Sequence, residues 1–322
     1  MGHLVLVVVA NPGAEHLKLL RQLPEGVETI ISDEFDLLRE AAPRADVVLN
    51  GGFNHTLFHK VFPFFTKVRW IHNMSAGVDK VLTPEVAAST VPMTNARGVF
   101  KDALAEFVVA AILYFAKDLR RMIRNQLAGV WQQFEVVEVR GKTLGVAGYG
   151  EIGRESARLA HALGMKIVAM RRRASLSSND PILSAIYSSD RFQEMLPLCD
   201  YLLAAAPHTE DTHHLIGEPQ LSLLKPEAVV INVGRGPVID EAALIRALES
   251  GRIKGAALDV FEHEPLAAGH PLYRLENVLL SPHCADRTPG WIERAVQKFV
   301  DNFHHFYKGE PLENVVDKTA GY

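Results

Sequence analysis

A chain of 322 residues, 48% hydrophobic and 22% charged, is long enough for two domains with separate cores and has the make-up of an ordinary globular enzyme. A formal net charge of −4 excludes a broad basic face for nucleic acid or an anionic membrane, and no apolar run approaches spanning length. Two cysteines far apart, Cys199 and Cys284, exclude a disulfide framework and suit a reducing compartment, so the expectation is a cytosolic protein.

The opening MGHLVLVVVA, followed by Asn11-Pro12-Gly13, reads as a buried first strand rather than a signal peptide. Strand patterns at His3–Ala10, Val27–Ile31, Asp46–Asn50, Val68–His72 and Val91–Thr94 alternate with helical ones at Glu15–Gln22, Asp36–Ala41 and His55–Phe62. This alternation predicts a doubly wound parallel sheet, flavodoxin-like and without a glycine fingerprint. Its strand-end loops Asn50-Gly51-Gly52-Phe53 and Asn73 to Asp79 are where such a fold would hold a small ligand. From Lys101 to Asn125 apolar residues keep helical spacing for about seven turns. That helix is expected to connect domains and to meet a second subunit, or simply to fill a core.

At Thr143 the pattern becomes an apolar strand, a glycine turn, a helix and a second apolar strand ending in Arg171-Arg172-Arg173. The turn, Gly148-Tyr149-Gly150-Glu151-Ile152-Gly153, predicts a Rossmann dinucleotide-binding βαβ unit. Gly148 allows the tight bend, Gly150 the approach of a pyrophosphate, and Gly153 the close packing of helix on strand. An NAD site normally ends its second strand with an acid that accepts the ribose hydroxyls. Arg171 and Arg172 cannot accept those bonds but suit the 2′-phosphate of NADP, so NADPH is the expected cofactor, with NAD possible.

Ser175 to Asp190 reads as a polar surface loop. Strands follow at Tyr201–Ala206, Ala228–Val233 and Ala256–Val260, helices at Pro219–Leu224 and Glu241–Ser250, and a last helix at Trp291–Tyr307. The expected domains are 1–97 plus 287–322 for substrate and 98–286 for dinucleotide, with two crossings between them that would make a hinged cleft. Three strand-end loops of the second domain carry an Arg, a carboxylate and a His: Val233 to Pro237, Asp259 to Pro265 and Ser281 to Ala285. Together these suffice to reduce a 2-oxo acid. The Arg grips the carboxylate, the His gives a proton to the carbonyl oxygen, and an acid fixes the tautomer and raises the His pKa.

The segments NMSAGVDKV, GYGEIG, APHTEDTHHLIG, LKPEAVVINVGRGPVIDEAALIRAL, GAALDVFEHEPL and SPHCA occur in the order seen in D-isomer-specific 2-hydroxyacid dehydrogenases, and the chain resembles that family over nearly its whole length. The resemblance implies Arg235 as the carboxylate-binding arginine, Glu264 as the glutamate that orients the histidine, and His283 as the acid/base. It implies substrate contacts from Ala76, Gly77 and Val78, and cofactor contacts from Tyr149 to Ile152, Arg171, Ala206, Thr212, Val233 and Asp259. A homodimer is implied too, with Trp131 near the partner's active site, and no metal. Departures from the family pattern are Arg171 in place of an acid, Asn95-Ala96-Arg97-Gly98 after the fifth strand, His208, and Asp286-Arg287. The expected activity is NADPH-dependent reduction of glyoxylate or hydroxypyruvate to the D-hydroxy acid. Two alternatives stand beside it: a reductase of bulkier acids, with Phe53 and Phe100 lining the pocket, and a non-catalytic, dinucleotide-sensing corepressor-like scaffold.

Overall fold

A computed structural model describes residues 3–52 and 54–322; Phe53 lies outside the described residues. The chain forms two compact units, Met1–Phe100 with Pro289–Tyr322, and Lys101–Thr288.

The first unit is built on β1 (Leu4–Val9), β2 (Val27–Ser32), β3 (Val47–Asn50), β4 (Trp70–Asn73) and β5 (Met93–Asn95), all parallel in the order β2-β1-β3-β4-β5. This is the flavodoxin-like order. β1 is an unbroken apolar run because both faces of a central parallel strand are covered. One cover is the helix Trp291–Lys308, whose Phe299 ring stacks on Trp70 at 5.2 Å, with both rings fully buried. Removing an aromatic packed in this way costs about 3–5 kcal/mol, so this late segment is integral to the unit. The predicted helix at Glu15–Gln22 is a 3₁₀ helix.

The second unit contains β6 (Thr143–Ala147), β7 (Lys166–Met170), β8 (Leu183–Tyr187), β9 (Tyr201–Ala204), β10 (Val229–Asn232), β11 (Gly255–Leu258) and β12 (Val278–Leu280), in the order β12-β11-β10-β9-β6-β7-β8. Counted from β6 this is the Rossmann order 3-2-1-4-5-6 with one more strand. The direction of winding reverses between β6 and β9, so a crevice at their carboxyl ends is the place for a ligand.

Two expectations need correcting. The long helix is broken: it runs Lys101–Ala116, then resumes as Leu119–Leu127 after Asp118, which adopts φ 48° and caps the second helix through its side chain. The first piece is packed in the core; the second buries none of its residues. The polar stretch from Ser175 to Asp190 also hides the edge strand β8, whose half-exposed residues give only a weak alternation. Among the described residues, no helix is long and apolar enough to cross a membrane, and no group of three or more ligand side chains is placed to hold a metal ion.

Candidate active site

β6 ends in the glycine turn, and each glycine there answers a steric demand. Gly148 has φ 102°, and a side chain on it would strike the Ala206 backbone nitrogen at 2.5 Å, so the turn and the end of the β9 segment touch at the switch point. A side chain on Gly153 would meet the Gly148 carbonyl oxygen at 2.3 Å, which brings the helix Glu151–Ala162 against its strand. Gly150, at the helix N-cap, borders open space: a Cβ there would meet nothing within 4 Å. The first-turn amides of Glu151, Ile152 and Gly153 thus start a helix whose cap carries no side chain, which fits an anionic group approaching the backbone. Tyr149 behaves differently. Its N–H bonds the Met170 carbonyl, its ring is buried, and its hydroxyl donates to Asp180 Oδ2 at 3.0 Å. Burial, then the Asp180 contact, push its pKa up, so it walls the turn as a neutral phenol.

Beyond β7, the Arg171 N–H bonds the Tyr187 carbonyl and its Nη1 donates to the buried Ser177 hydroxyl at 2.7 Å. Arg172 is exposed beside it. The carboxylate in the following loop, Asp180, is engaged by Tyr149 and lies 3.9 Å from Arg154 Nε. The end of β7 therefore presents guanidinium groups and a hydroxyl, a donor set that fits a phosphate and not a ribose diol. Ser177 was invisible in the sequence because it lies in a Ser-rich turn. Ala206 and Val233 are buried, and the Thr212 hydroxyl donates to the Pro207 carbonyl at 2.6 Å, which fixes the loop after β9.

The ends of β11 and β12 come together around one buried carboxylate, and the end of β10 joins them through the Asp259 N–H, which donates to the Asn232 carbonyl at 3.0 Å. Asp259 Oδ1 accepts from the Ser281 hydroxyl at 2.5 Å and from the N–H groups of Cys284 at 3.0 Å and Ala285 at 3.1 Å, while its carbonyl accepts the His283 N–H at 3.0 Å. His283 is thereby held at φ 50°. Its Nδ1 is 2.7 Å from Glu264 Oε2, the histidine side chain 43% exposed and the glutamate 24%. The Glu264 hydrogen bond raises the His283 pKa; burial opposes it, the negative charges of Glu264 and Asp259 add to the rise, and Arg235 opposes it. Asp286, three residues on, is pushed up by burial while His283 pulls it down.

Arg235 is fixed through its backbone. Asn232 Nδ2 donates to its carbonyl at 3.0 Å, Asn232 Oδ1 accepts the Gly234 N–H, and the guanidinium Nη1 donates to the Gly234 carbonyl at 2.8 Å. A side chain on Gly236 would lie 1.9 Å from the Phe261 carbonyl carbon, so the arginine and glutamate loops abut. Beside Glu264 and His283, Phe261, Pro265, Leu266 and Tyr273 line a cavity of about 320 Å³. In the first unit, Ala76, Gly77 and Val78 lie in a loop held by asparagines: Asn95 Nδ2 donates to the Ala76 carbonyl at 2.6 Å and Asn73 Nδ2 to the Gly77 carbonyl at 3.1 Å.

Comparison with known proteins gives a consistent result. Residues 109–285 match the family described as D-isomer specific 2-hydroxyacid dehydrogenase, NAD binding domain. A glyoxylate reductase of Thermococcus litoralis is 35% identical over 263 residues, 79% of this chain and 78% of the relative. Among solved structures, a D-isomer specific 2-hydroxyacid dehydrogenase from Xanthobacter autotrophicus in complex with NADPH and MES superposes with a TM-score of 0.85 at 27% identity, covering 100% of both chains. An NADPH-dependent glyoxylate/hydroxypyruvate reductase from Sinorhizobium meliloti, in complex with NADP and sulfate, gives 0.85 at 25% identity, covering 99% of this chain and 100% of that one.

Proposed function

The chain belongs to the D-isomer-specific 2-hydroxyacid dehydrogenase family, an NAD(P)-dependent oxidoreductase acting on CH–OH groups, and we propose that it reduces glyoxylate or hydroxypyruvate with NADPH, giving the D-hydroxy acid. The observation that carries the chemistry is the 2.7 Å contact between His283 Nδ1 and Glu264 Oε2, at the carboxyl edge of the sheet that bears the glycine turn. When bound, NADPH supplies the hydride. Glu264 holds the Nδ1–H of the imidazole, which leaves Nε2–H as the proton donor to the carbonyl oxygen. Arg235 holds the substrate carboxylate as a bidentate partner and polarises the carbonyl. For Ala76, Gly77 and Val78 the proposal is a backbone contact to substrate. The first-turn amides of Glu151 to Gly153 receive the pyrophosphate, and Arg171 with Ser177 the 2′-phosphate. The test is the loss of nicotinamide absorbance with NADPH or NADH against glyoxylate, hydroxypyruvate and phenylpyruvate. The fastest rate is expected with NADPH and a small acid; a clear preference for phenylpyruvate would reject the substrate.

We also propose a homodimer. Leu127 is 84% exposed and Trp131 95%, with Ile123, Val130 and Val136 exposed along the same stretch, an apolar run that a second subunit would cover. The cavity beside His283 is apolar enough to take an indole from a second copy. Light scattering should give twice 35.6 kDa, and Trp131→Ala should raise KM several-fold. A single-chain mass at assay concentration ends this proposal.

A further inference from the structure

Glu262, two residues before Glu264, looks in the sequence like a solvent-facing charge. In the fold it is a junction. Its Oε1 accepts from His214 Nε2 at 2.9 Å and from the Glu241 backbone N–H at 3.1 Å. Its own N–H donates to Glu241 Oε2 at 3.4 Å, and the other oxygen of Glu241 lies 3.2 Å from His270 Nε2. Backbone bonds lace the same segments: His214 N–H to the Pro237 carbonyl at 2.8 Å, Ile216 N–H to Val238 at 3.1 Å, and Asp240 N–H to Ile216 at 3.0 Å. Three pieces of chain therefore meet on one carboxylate: the loop after β9 through His214, the helix Glu241–Glu249 that follows the Arg235 loop, and the loop that carries Glu264.

We propose that Glu262 is a positioning residue, which fixes the loop presenting Glu264 to His283 and, through His214, couples it to the cofactor-binding loop after β9. The inference rests on His283 as proton donor. The bond from Glu264 to His283 is short and directional, and a displacement of about 1 Å in a supporting element is enough to weaken such a contact and slow the chemistry by about 10²-fold. Glu264, Asp259, Arg235 and Asp286 act on His283; Glu262 and His213 face His214, with His208 3.2 Å beyond His213. All of these other groups are retained when Glu262 is replaced, and Glu262 is not among the charges that act on His283, so a shift in the titration of His283 reports on its loop.

The experiment is the pH profile of kcat/KM for glyoxylate reduction with NADPH. In Glu262→Ala the basic limb should move toward acid by about half a unit or more, as Glu264 loses its hold on the imidazole. Glu262→Gln removes the same charge but keeps an oxygen that can accept both N–H groups, and it should return the limb to its wild-type position. A limb that stays in place in Glu262→Ala while the melting temperature falls makes Glu262 a structural staple only. A glutamine variant no better than alanine also overturns the proposal. If Glu262→Ala does not fold, His214→Asn, which suits the φ of 51° at that position but is too short to reach Glu262, carries the same prediction with a smaller shift. His283→Asn is run alongside: a limb that survives there removes the donor assignment and this inference together, whereas a limb lost there but unmoved in Glu262→Ala removes this inference alone.

Discussion

Replacement of His283 by asparagine is expected to lower the rate of 2-oxo acid reduction by about 10²–10⁴-fold, the usual contribution of a general acid, and to leave NADPH binding nearly unchanged. Asparagine is the better probe than alanine for a backbone reason. His283 sits at φ 50°, a left-handed conformation that asparagine tolerates and that strains alanine, so the loop pinned by Asp259 should survive the change. Its NADPH affinity, read by fluorescence titration, separates loss of chemistry from loss of the site. The pH dependence has a definite sign. Reduction needs the protonated imidazole, and the Glu264 contact raises its pKa above the usual 6.5, so the rate is fully present at acid pH and falls only as pH climbs through that raised value. Glu264→Gln should move this basic limb downward. Turnover retained in His283→Asn would refute the donor role.

The features legible in the sequence were those in which a residue type is forced by geometry. Gly148 and Gly153 could be read because any side chain there collides with backbone, and the parallel sheets because central strands such as β1 and β10 are apolar on both faces. His283 and Glu264 lie nineteen residues apart in sequence and meet because parallel strands deliver their carboxyl ends to one edge. The features that stayed hidden have no such signature. Apolar spacing passes through Asp118 without interruption, yet its left-handed φ breaks the helix. β8 is an edge strand with a half-wet alternation. The inward turn of Tyr149 depends on Asp180, thirty-one residues away, and Glu262 acquires its partners from the loop after β9 and from the start of the helix Glu241–Glu249. Long-range polar contacts leave no periodicity and arise only once the chain has folded.

The second large effect is expected at the far end of the dinucleotide site. Arg171→Asp should weaken NADPH binding by about 10²-fold or more relative to NADH. Two charge-assisted bonds of about 1.5–3 kcal/mol each are lost, and a carboxylate facing a phosphate adds repulsion. The same substitution restores an acceptor where ribose hydroxyls would lie, so NADH binding should hold or improve. Arg171 is well placed for this inversion, because its backbone N–H is fixed on the Tyr187 carbonyl and its guanidinium on the Ser177 hydroxyl. Ser177→Ala should give a smaller loss of the same kind, since the hydroxyl contributes one uncharged bond. The NADPH preference of the unaltered protein should also shrink with added salt, as exposed arginine–phosphate attraction is screened within about 10 Å at 0.1 M ionic strength. Equal losses of both cofactors in Arg171→Asp would mean that the guanidinium braces the Ser177 turn and does not read the phosphate, and the cofactor preference would then have to come from Arg172 or from Arg154 across Asp180.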